Sequence, residues 1–168
     1  MNSRFKRNGI LLLLAMSIFL NYYYAGVIRE FKYRENTLLE MEMQNMHYTL
    51  LNFGIMLEDD DISLEDVRLF EVQLLETTNR LSFLVSRSYQ VEEPLYMHKF
   101  KDFIYSDVRA VVSSERLSQE DRREKLNRFK ALVEETATAF DVKSGSKNEI
   151  EASFSEFNSI LKKYKVIR

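Results

Sequence analysis

One segment constrains this chain more than any other: residues 9–28, GILLLLAMSIFLNYYYAGVI, carry no formally charged side chain. As a helix rising about 1.5 Å per residue, the segment would be about 30 Å long, which matches the hydrocarbon core of a bilayer. Tyr22, Tyr23 and Tyr24 suit the headgroup layer, where a ring is buried and its hydroxyl stays hydrated. We therefore predict a single transmembrane helix, a signal-anchor over residues 9–28 that contacts membrane lipid.

The alternative for this segment is a cleaved signal peptide. Basic residues precede it, and residues 10–20 have the length of the hydrophobic region of such a peptide. Cleavage requires small residues at alternate positions before the cut, whereas Ala25 and Gly26 directly follow three tyrosines. The sequence therefore favours a retained anchor.

The flanking charges give a modest preference for one orientation. Three basic side chains lie on each side of the segment: Arg4, Lys6 and Arg7 before it, and Arg29, Lys32 and Arg34 after it. A short basic N-terminus before a first apolar segment usually stays in the cytoplasm. We expect a cytoplasmic tail over residues 1–8 and an extracytoplasmic domain over residues 29–168, in a single-pass protein of the cell membrane.

The composition beyond the anchor excludes several classes of function. Residues 29–168 hold 21 Lys plus Arg against 26 Asp plus Glu, a formal charge of −5. This balance argues against nucleic acid as a partner, because phosphate neutralisation requires a basic face. The absence of cysteine excludes disulfides and thiol nucleophiles. One proline and four glycines indicate long helices in one domain.

The first helix after the anchor is predicted over residues 29–57. Its apolar residues alternate at spacings of four and three, the heptad pattern of a helix with one packed face: Leu39, Met43, Met46, Leu50, Phe53 and Leu57. Met41, Met43, Met46 and Met56 would suit an adaptable binding stripe. Because Met43 and Met46 belong to the heptad seam, core filling is favoured. The seam's partner is either the rest of this chain or a second copy.

Three capping boxes mark the starts of later helices, each with a serine hydroxyl placed to accept from the amide three residues on. They are Ser63 with Asp66, Ser118 with Asp121, and Ser146 with Glu149. Glu92, Glu93 and Pro94 mark a further start, because proline is tolerated in a helix's first turn. These signals predict helices over residues 64–89, 94–114, 119–140 and 147–165.

Each of these helices carries an apolar face at helical spacing. The residues expected inside are Val67, Phe70, Leu74, Thr77, Leu81 and Leu84 in the second helix, Met97, Phe100, Ile104, Val108 and Val111 in the third, Leu126, Phe129, Val133, Ala137 and Phe140 in the fourth, and Ile150, Phe154, Phe157, Leu161 and Tyr164 in the fifth. Leu75 and Val85 widen the second face, which suggests burial on more than one side. We predict an all-α fold in which an N-terminal transmembrane helix precedes an antiparallel bundle of four to five helices.

No residues are predicted to be catalytic, cofactor-binding or metal-binding, and we expect no enzyme activity. His47 and His98 lack the Glu-x-x-His and His-x-x-x-His spacings of metal sites. Glu40 and Glu42 are interpreted as residues of the solvent-exposed face of the first helix. The acidic run of residues 58–61 lacks the glycine and distal glutamate of a calcium loop, so we expect a solvated turn.

The basic C-terminus has two interpretations. Lys162, Lys163, Lys165 and Arg168 complement the negative end of a helix dipole. The alternative is contact with anionic lipid or cell-wall polymer.

The sequence combines a membrane anchor with a helix that carries a heptad seam, and it contains no catalytic or ligand-binding motif. This combination favours a non-enzymatic interaction protein: an adaptor, regulator or assembly subunit that binds another envelope or membrane protein, or itself as a homodimer.

The alternative is a small-ligand sensor. An anchored four-helix bundle is broadly similar to the ligand-binding domains of chemoreceptors and sensor kinases, and that resemblance implies dimerisation of the first helix. Without a second span, signalling would require a partner subunit. A pocket with convergent polar groups such as Arg109 and Tyr105 would favour the sensor.

Overall fold

The protein is described by a computed structural model over residues 3–59, 61–89 and 94–167. These residues form five α-helices and no β-strand: α1 Ser3–Met56, α2 Leu64–Tyr89, α3 Pro94–Val112, α4 Gln119–Ala139 and α5 Lys147–Lys163. The all-helical prediction is confirmed, and α2 to α5 begin at the predicted residues. The predicted anchor and the first helix form one unbroken helix. Glu92, Glu93 and Asp60 lie outside the described residues.

The chain divides into two compact units, Met1–Glu35 and Asn36–Arg168. In the first unit every described side chain from residue 11 to residue 34 is exposed, including Leu13 at 67% and Phe19 at 69%. The N-terminal part of α1 is long and apolar enough to cross a membrane, and it is the one such helix among the described residues. The single-span prediction is thus supported by length and composition.

In the second unit the heptad seam of α1 is part of the core. All six seam residues are at most 2% exposed, and Leu39, Leu50 and Phe53 are fully buried. They lie in one apolar cluster with buried residues of the four other helices. The seam is therefore satisfied within the chain, and the preference for Met43 and Met46 as core residues is confirmed.

The remaining helices pack in sequence order, α2 against α3, α3 against α4, and α4 against α5. Aromatic rings fill the spaces between them. Phe53 of α1 stacks on Phe70 of α2 at a centroid distance of 3.6 Å, and Phe157 of α5 meets Phe100 of α3 edge-on at 5.6 Å. These contacts explain why the predicted inward residues of α3 and α5 are buried or half-buried.

The predicted face of α2 is confirmed in part. Leu81 and Val85 are buried as expected, and Leu84 packs half-buried against the core, but Thr78 is buried where Thr77 was expected and Leu75 is 37% exposed. The buried residues Phe70, Leu74, Thr78, Leu81 and Val85 are spaced four, four, three and four, so one extra spacing of four follows Leu74, because 3.6 residues per turn drift away from a strict heptad. Thus α2 buries one face only, and the expected burial on two sides is not found.

Two of the three capping boxes are confirmed. The Asp66 amide donates to Ser63 Oγ over 3.2 Å. The Ser63 hydroxyl, over 2.6 Å, and the Ser63 amide, over 2.9 Å, both donate to Asp66 Oδ2, which lowers the pKa of Asp66. The Asp121 amide likewise donates to Ser118 Oγ over 3.1 Å. Both bonds satisfy amides that a helix start leaves without a helical partner.

The third capping box is wrong. Ser146 makes no side-chain cap bond, although it stands at the N-cap of α5. Glu149 instead reaches back past Ser146, accepting from the Ser144 hydroxyl and, over 2.5 Å, from the Lys143 amide. These donors, the Ser144 hydroxyl above all, lower the pKa of Glu149. The glutamate therefore organises the whole turn between α4 and α5.

Polar contacts join α1 to this turn and to the end of α4. His47 Nδ1 donates to the Ala137 carbonyl over 2.8 Å, and Gln44 donates to the Val142 carbonyl over 2.5 Å. The Ala137 carbonyl, in the last turn of α4, also accepts from the Phe140 amide over 3.0 Å, so His47 adds a second bond at this helix end and has a structural role. At Gly145 the backbone of this turn lies directly against the backbone of α1, since a Cβ added to Gly145 would lie 1.7 Å from the Asn36 carbonyl oxygen.

Candidate functional site

A surface groove lies between the first half of α2 and the second half of α3. It encloses about 610 Å³ and is lined by Leu64, Glu65, Val67, Arg68, Leu69, Tyr105 and Arg109. Arg109 Nη1 donates to the Tyr105 hydroxyl over 2.5 Å, and its guanidinium lies 5.5 Å from the Tyr105 ring centroid. The two residues singled out for a ligand pocket are therefore brought together, one helical turn apart on α3.

The charges of this groove suit a small anion. Among the described residues, Arg68 and Arg109 form no ion pair with a carboxylate, and both guanidinium groups are exposed. Glu65 lines the same groove and opposes an anion there. Among the described residues, buried apolar side chains from all five helices form one core cluster. Any ligand of this groove would thus bind at the surface.

A second surface lies on the outward side of α2. Leu69, Val72 and Phe83 are 59%, 57% and 64% exposed. At 100° per residue they fall on one side of the helix, directly opposite the buried face of Leu74 and Leu81. We call Leu69, Val72 and Phe83 the outer α2 stripe. The sequence analysis does not single out these residues, although their spacing along α2 places them on one helical face.

The carboxylates considered for chemistry are placed differently from the prediction. Glu42 is only 7% exposed, so its assignment to the wet face of α1 is wrong. Its carboxylate accepts from the Asn45 side chain over 3.3 Å. Glu40 is half-buried. Within the described residues no three His, Asp or Glu side chains form a group that could hold a metal ion.

The described part of the acidic run is bound to its surroundings. Glu58 forms an ion pair with Lys130 of α4, which raises the pKa of Lys130. Asp59 Oδ1 accepts from the Asp61 amide over 3.0 Å. This part of the run therefore closes a turn and anchors it to α4.

A further ion pair holds α4 to α5. Lys163 Nζ lies 2.7 Å and 2.8 Å from the two carboxylate oxygens of Glu135. This contact lowers the pKa of Glu135 and raises that of Lys163. Burial, and then a hydrogen bond with Glu135, raises the pKa of the neighbouring Tyr164.

Comparisons with protein-family models, curated proteins and solved structures find no match to this chain.

Proposed function

We propose that this chain is a membrane-anchored, non-enzymatic interaction protein, an adaptor, regulator or assembly subunit of an envelope complex. In this proposal residues 9–28 span the membrane, the N-terminus lies inside, and the rest forms an antiparallel helical bundle outside the cytoplasm. Sequential packing of α2 to α5 through short connections supports the bundle.

The observation that carries the proposal is the outer α2 stripe. Exposed apolar residues on one helical face, beside a complete core, are typical of a protein-binding surface. The Glu76–Arg80 ion pair lies on the same face of α2, between Val72 and Phe83, so a partner would meet apolar side chains on both sides of a charge pair. The expected partner is another membrane protein that covers this face of α2.

Site-specific photo-crosslinking in cells tests this function. A photoreactive phenylalanine analogue replaces Val72 or Phe83, and the exposed Asn127 of α4 serves as the matched control position. We expect a crosslink to a different membrane protein from the two stripe positions and none from Asn127. Equal products at all three positions would contradict the proposal. A product of twice the 20.0 kDa mass would show that the partner at this surface is a second copy of this chain.

Orientation has its own test, because the chain contains no cysteine. We expect Asn148→Cys to react with a membrane-impermeant maleimide in intact spheroplasts, whereas Asn2→Cys should react only after lysis. The reverse pattern would invert the topology and leave the crosslinking result unaffected.

A second candidate function, a small-ligand sensor, is favoured by the Tyr105–Arg109 pair in the α2–α3 groove. A panel of small carboxylates and phosphates should then raise the melting temperature of the full chain, and Arg109→Ala should remove that shift. No shift with any anion would leave the interaction protein as the better account.

A further inference from the structure

A second groove lies on another side of the domain, between α3, α4 and the end of α5. It encloses about 500 Å³, within the roughly 300 to 1,000 Å³ usual for small-ligand sites. Its floor is apolar: Leu132 is buried, while Phe103 and Phe129 are half-buried and meet edge-on at a centroid distance of 6.2 Å. We call this the α3–α4 groove.

The rim of the α3–α4 groove is cationic. Lys125, Arg128 and Lys165 line it, against one carboxylate, that of Asp107. Among the described residues none of the three cations forms an ion pair. By contrast, Lys130 of α4 pairs with Glu58, and Lys163 of α5 pairs with Glu135. Three cations against one carboxylate leave a net positive charge beside an apolar surface.

The backbone at Lys165 is an independent observation. Its φ of 59° lies in the left-handed region, and it is the one non-glycine residue with positive φ in the part of the chain that the structure describes. The Val166 amide donates to the Leu161 carbonyl over 2.9 Å and the Lys165 amide to the Lys162 carbonyl over 3.0 Å. This is a Schellman motif, whose left-handed position is usually glycine because a side chain is strained there. A lysine at that position costs stability and adds an ammonium group to the rim.

We propose that the α3–α4 groove binds a single-chain anionic amphiphile, of which a long-chain fatty acid is the simplest example. The alkyl chain would lie on Phe103, Phe129 and Leu132. The carboxylate would bind Arg128 and Lys165, with Lys125 beside them. The groove suits one flexible chain, since its volume of about 500 Å³ lies in the range of small-ligand sites and an apolar floor beside a cationic rim matches an alkyl chain with an anionic head. This site is separate from the outer α2 stripe and does not depend on a protein partner.

Photo-labelling tests the site directly. The full chain is placed in phosphatidylcholine nanodiscs, without detergent, and irradiated with a diazirine analogue of myristate. We expect labelled peptides from residues 103–111 and 125–132, and competition by myristate about tenfold stronger than by the uncharged methyl myristate. Labelling confined to residues 9–28 or to α2, or equal competition by the two compounds, would overturn the proposal.

Variants separate binding from stability. Arg128→Ala and Lys165→Gly should each weaken competition by myristate about tenfold, because each removes one charge-assisted bond. Lys165→Gly should at the same time raise the melting temperature by about 2 °C, since glycine relieves the left-handed strain. Lys165→Arg should keep binding, and Lys147→Ala, which removes an exposed cation elsewhere on α5, should change nothing. Unchanged competition in both Arg128→Ala and Lys165→Gly would refute the site.

Discussion

Helix α1 contains two apolar regions with opposite surroundings. From residue 11 to residue 34 every side chain is exposed, whereas the seam from Leu39 to Phe53 is at most 1% exposed. The first region is the more apolar of the two, with Leu11 to Leu14 covering every side of the helix. The second confines its apolar residues to one face. Apolar content all around a helix suits a lipid environment, whereas a stripe suits a protein core, so the period of the pattern decides the burial.

The largest test of this comparison replaces one leucine in each region. Leu50→Asp places a charge in a fully buried position and should cost about 4 kcal/mol or more, enough to unfold the domain. Leu13→Asp, at an exposed position, should leave the unfolding of the domain unchanged and release the chain from membranes in carbonate, because a central charge opposes insertion. Denaturation followed by circular dichroism and carbonate extraction measure the two effects.

A folded Leu50→Asp variant would contradict the intramolecular seam. Loss of a dimer crosslink in that variant, with the helical signal intact, would instead indicate that the seam joins two copies.

Glycine substitutions sharpen the same comparison. Gly145→Ala should cost about 2 kcal/mol or more, because its Cβ would lie 1.7 Å from the Asn36 backbone oxygen. Gly26→Ala has nothing within 4 Å and should leave the stability of the domain within about 0.5 kcal/mol. Gly54→Ala should fall between them, since its 3.2 Å contact is with the flexible Glu134 side chain. Urea denaturation ranks the three, and equal values for Gly145→Ala and Gly26→Ala would exclude the close approach.

Two serines in the second unit give a smaller difference in stability. Ser63 and Ser146 both precede a helix, but only Ser63 makes a side-chain cap bond. Ser63→Ala should destabilise the protein by about 1 kcal/mol, since it removes the bond from the Asp66 amide. Ser146→Ala removes no cap bond and should change stability by only a few tenths of a kcal/mol. Chemical denaturation of both variants measures the difference. A larger loss of stability in Ser146→Ala than in Ser63→Ala would indicate that Ser146 does cap α5, contrary to the structure.

The smallest expected effect concerns two ion pairs, one in each of the two compact units. Glu135→Gln should lose about 0.5 kcal/mol at neutral pH, a value reduced by solvent screening, whereas Glu30→Gln breaks a pair exposed by 63% and 74% and should lose less. The folded-state pKa of Glu135 is lowered, so its stabilisation is present above the ordinary glutamate pKa of about 4.3 and disappears as the pH falls toward the folded value.

Unfolding free energies between pH 7 and pH 3 check this sign. The acid slope should decrease in Glu135→Gln. Part of the slope should remain in that variant, because the pKa values of Asp66 and Glu149 are also lowered. An increased slope in Glu135→Gln would contradict the assignment.

Prediction from the sequence succeeded where one strong local pattern had no competitor. The seam of α1, the inward side of α3 and the helix starts at Leu64 and Gln119 follow from spacing and capping alone. It failed where two solutions were locally equivalent. Thr77 and Thr78 differ by a third of a turn, and Glu149 has alternative donors in Ser144 and Ser146. Packing against neighbouring helices selects between such options, because each differs by little in local energy.

The sequence by itself determined that this protein is helical, where α2 to α5 begin, and that an apolar helix precedes a packed domain. Periodicity and capping act between residues three or four apart, so they can be read along the chain. Only the tertiary structure decided the burial of Glu42, the contact of Gly145 with Asn36, and the grouping of Lys125, Arg128 and Lys165 around an aromatic floor. Those features join residues far apart in the chain, whose meeting depends on how the whole core packs.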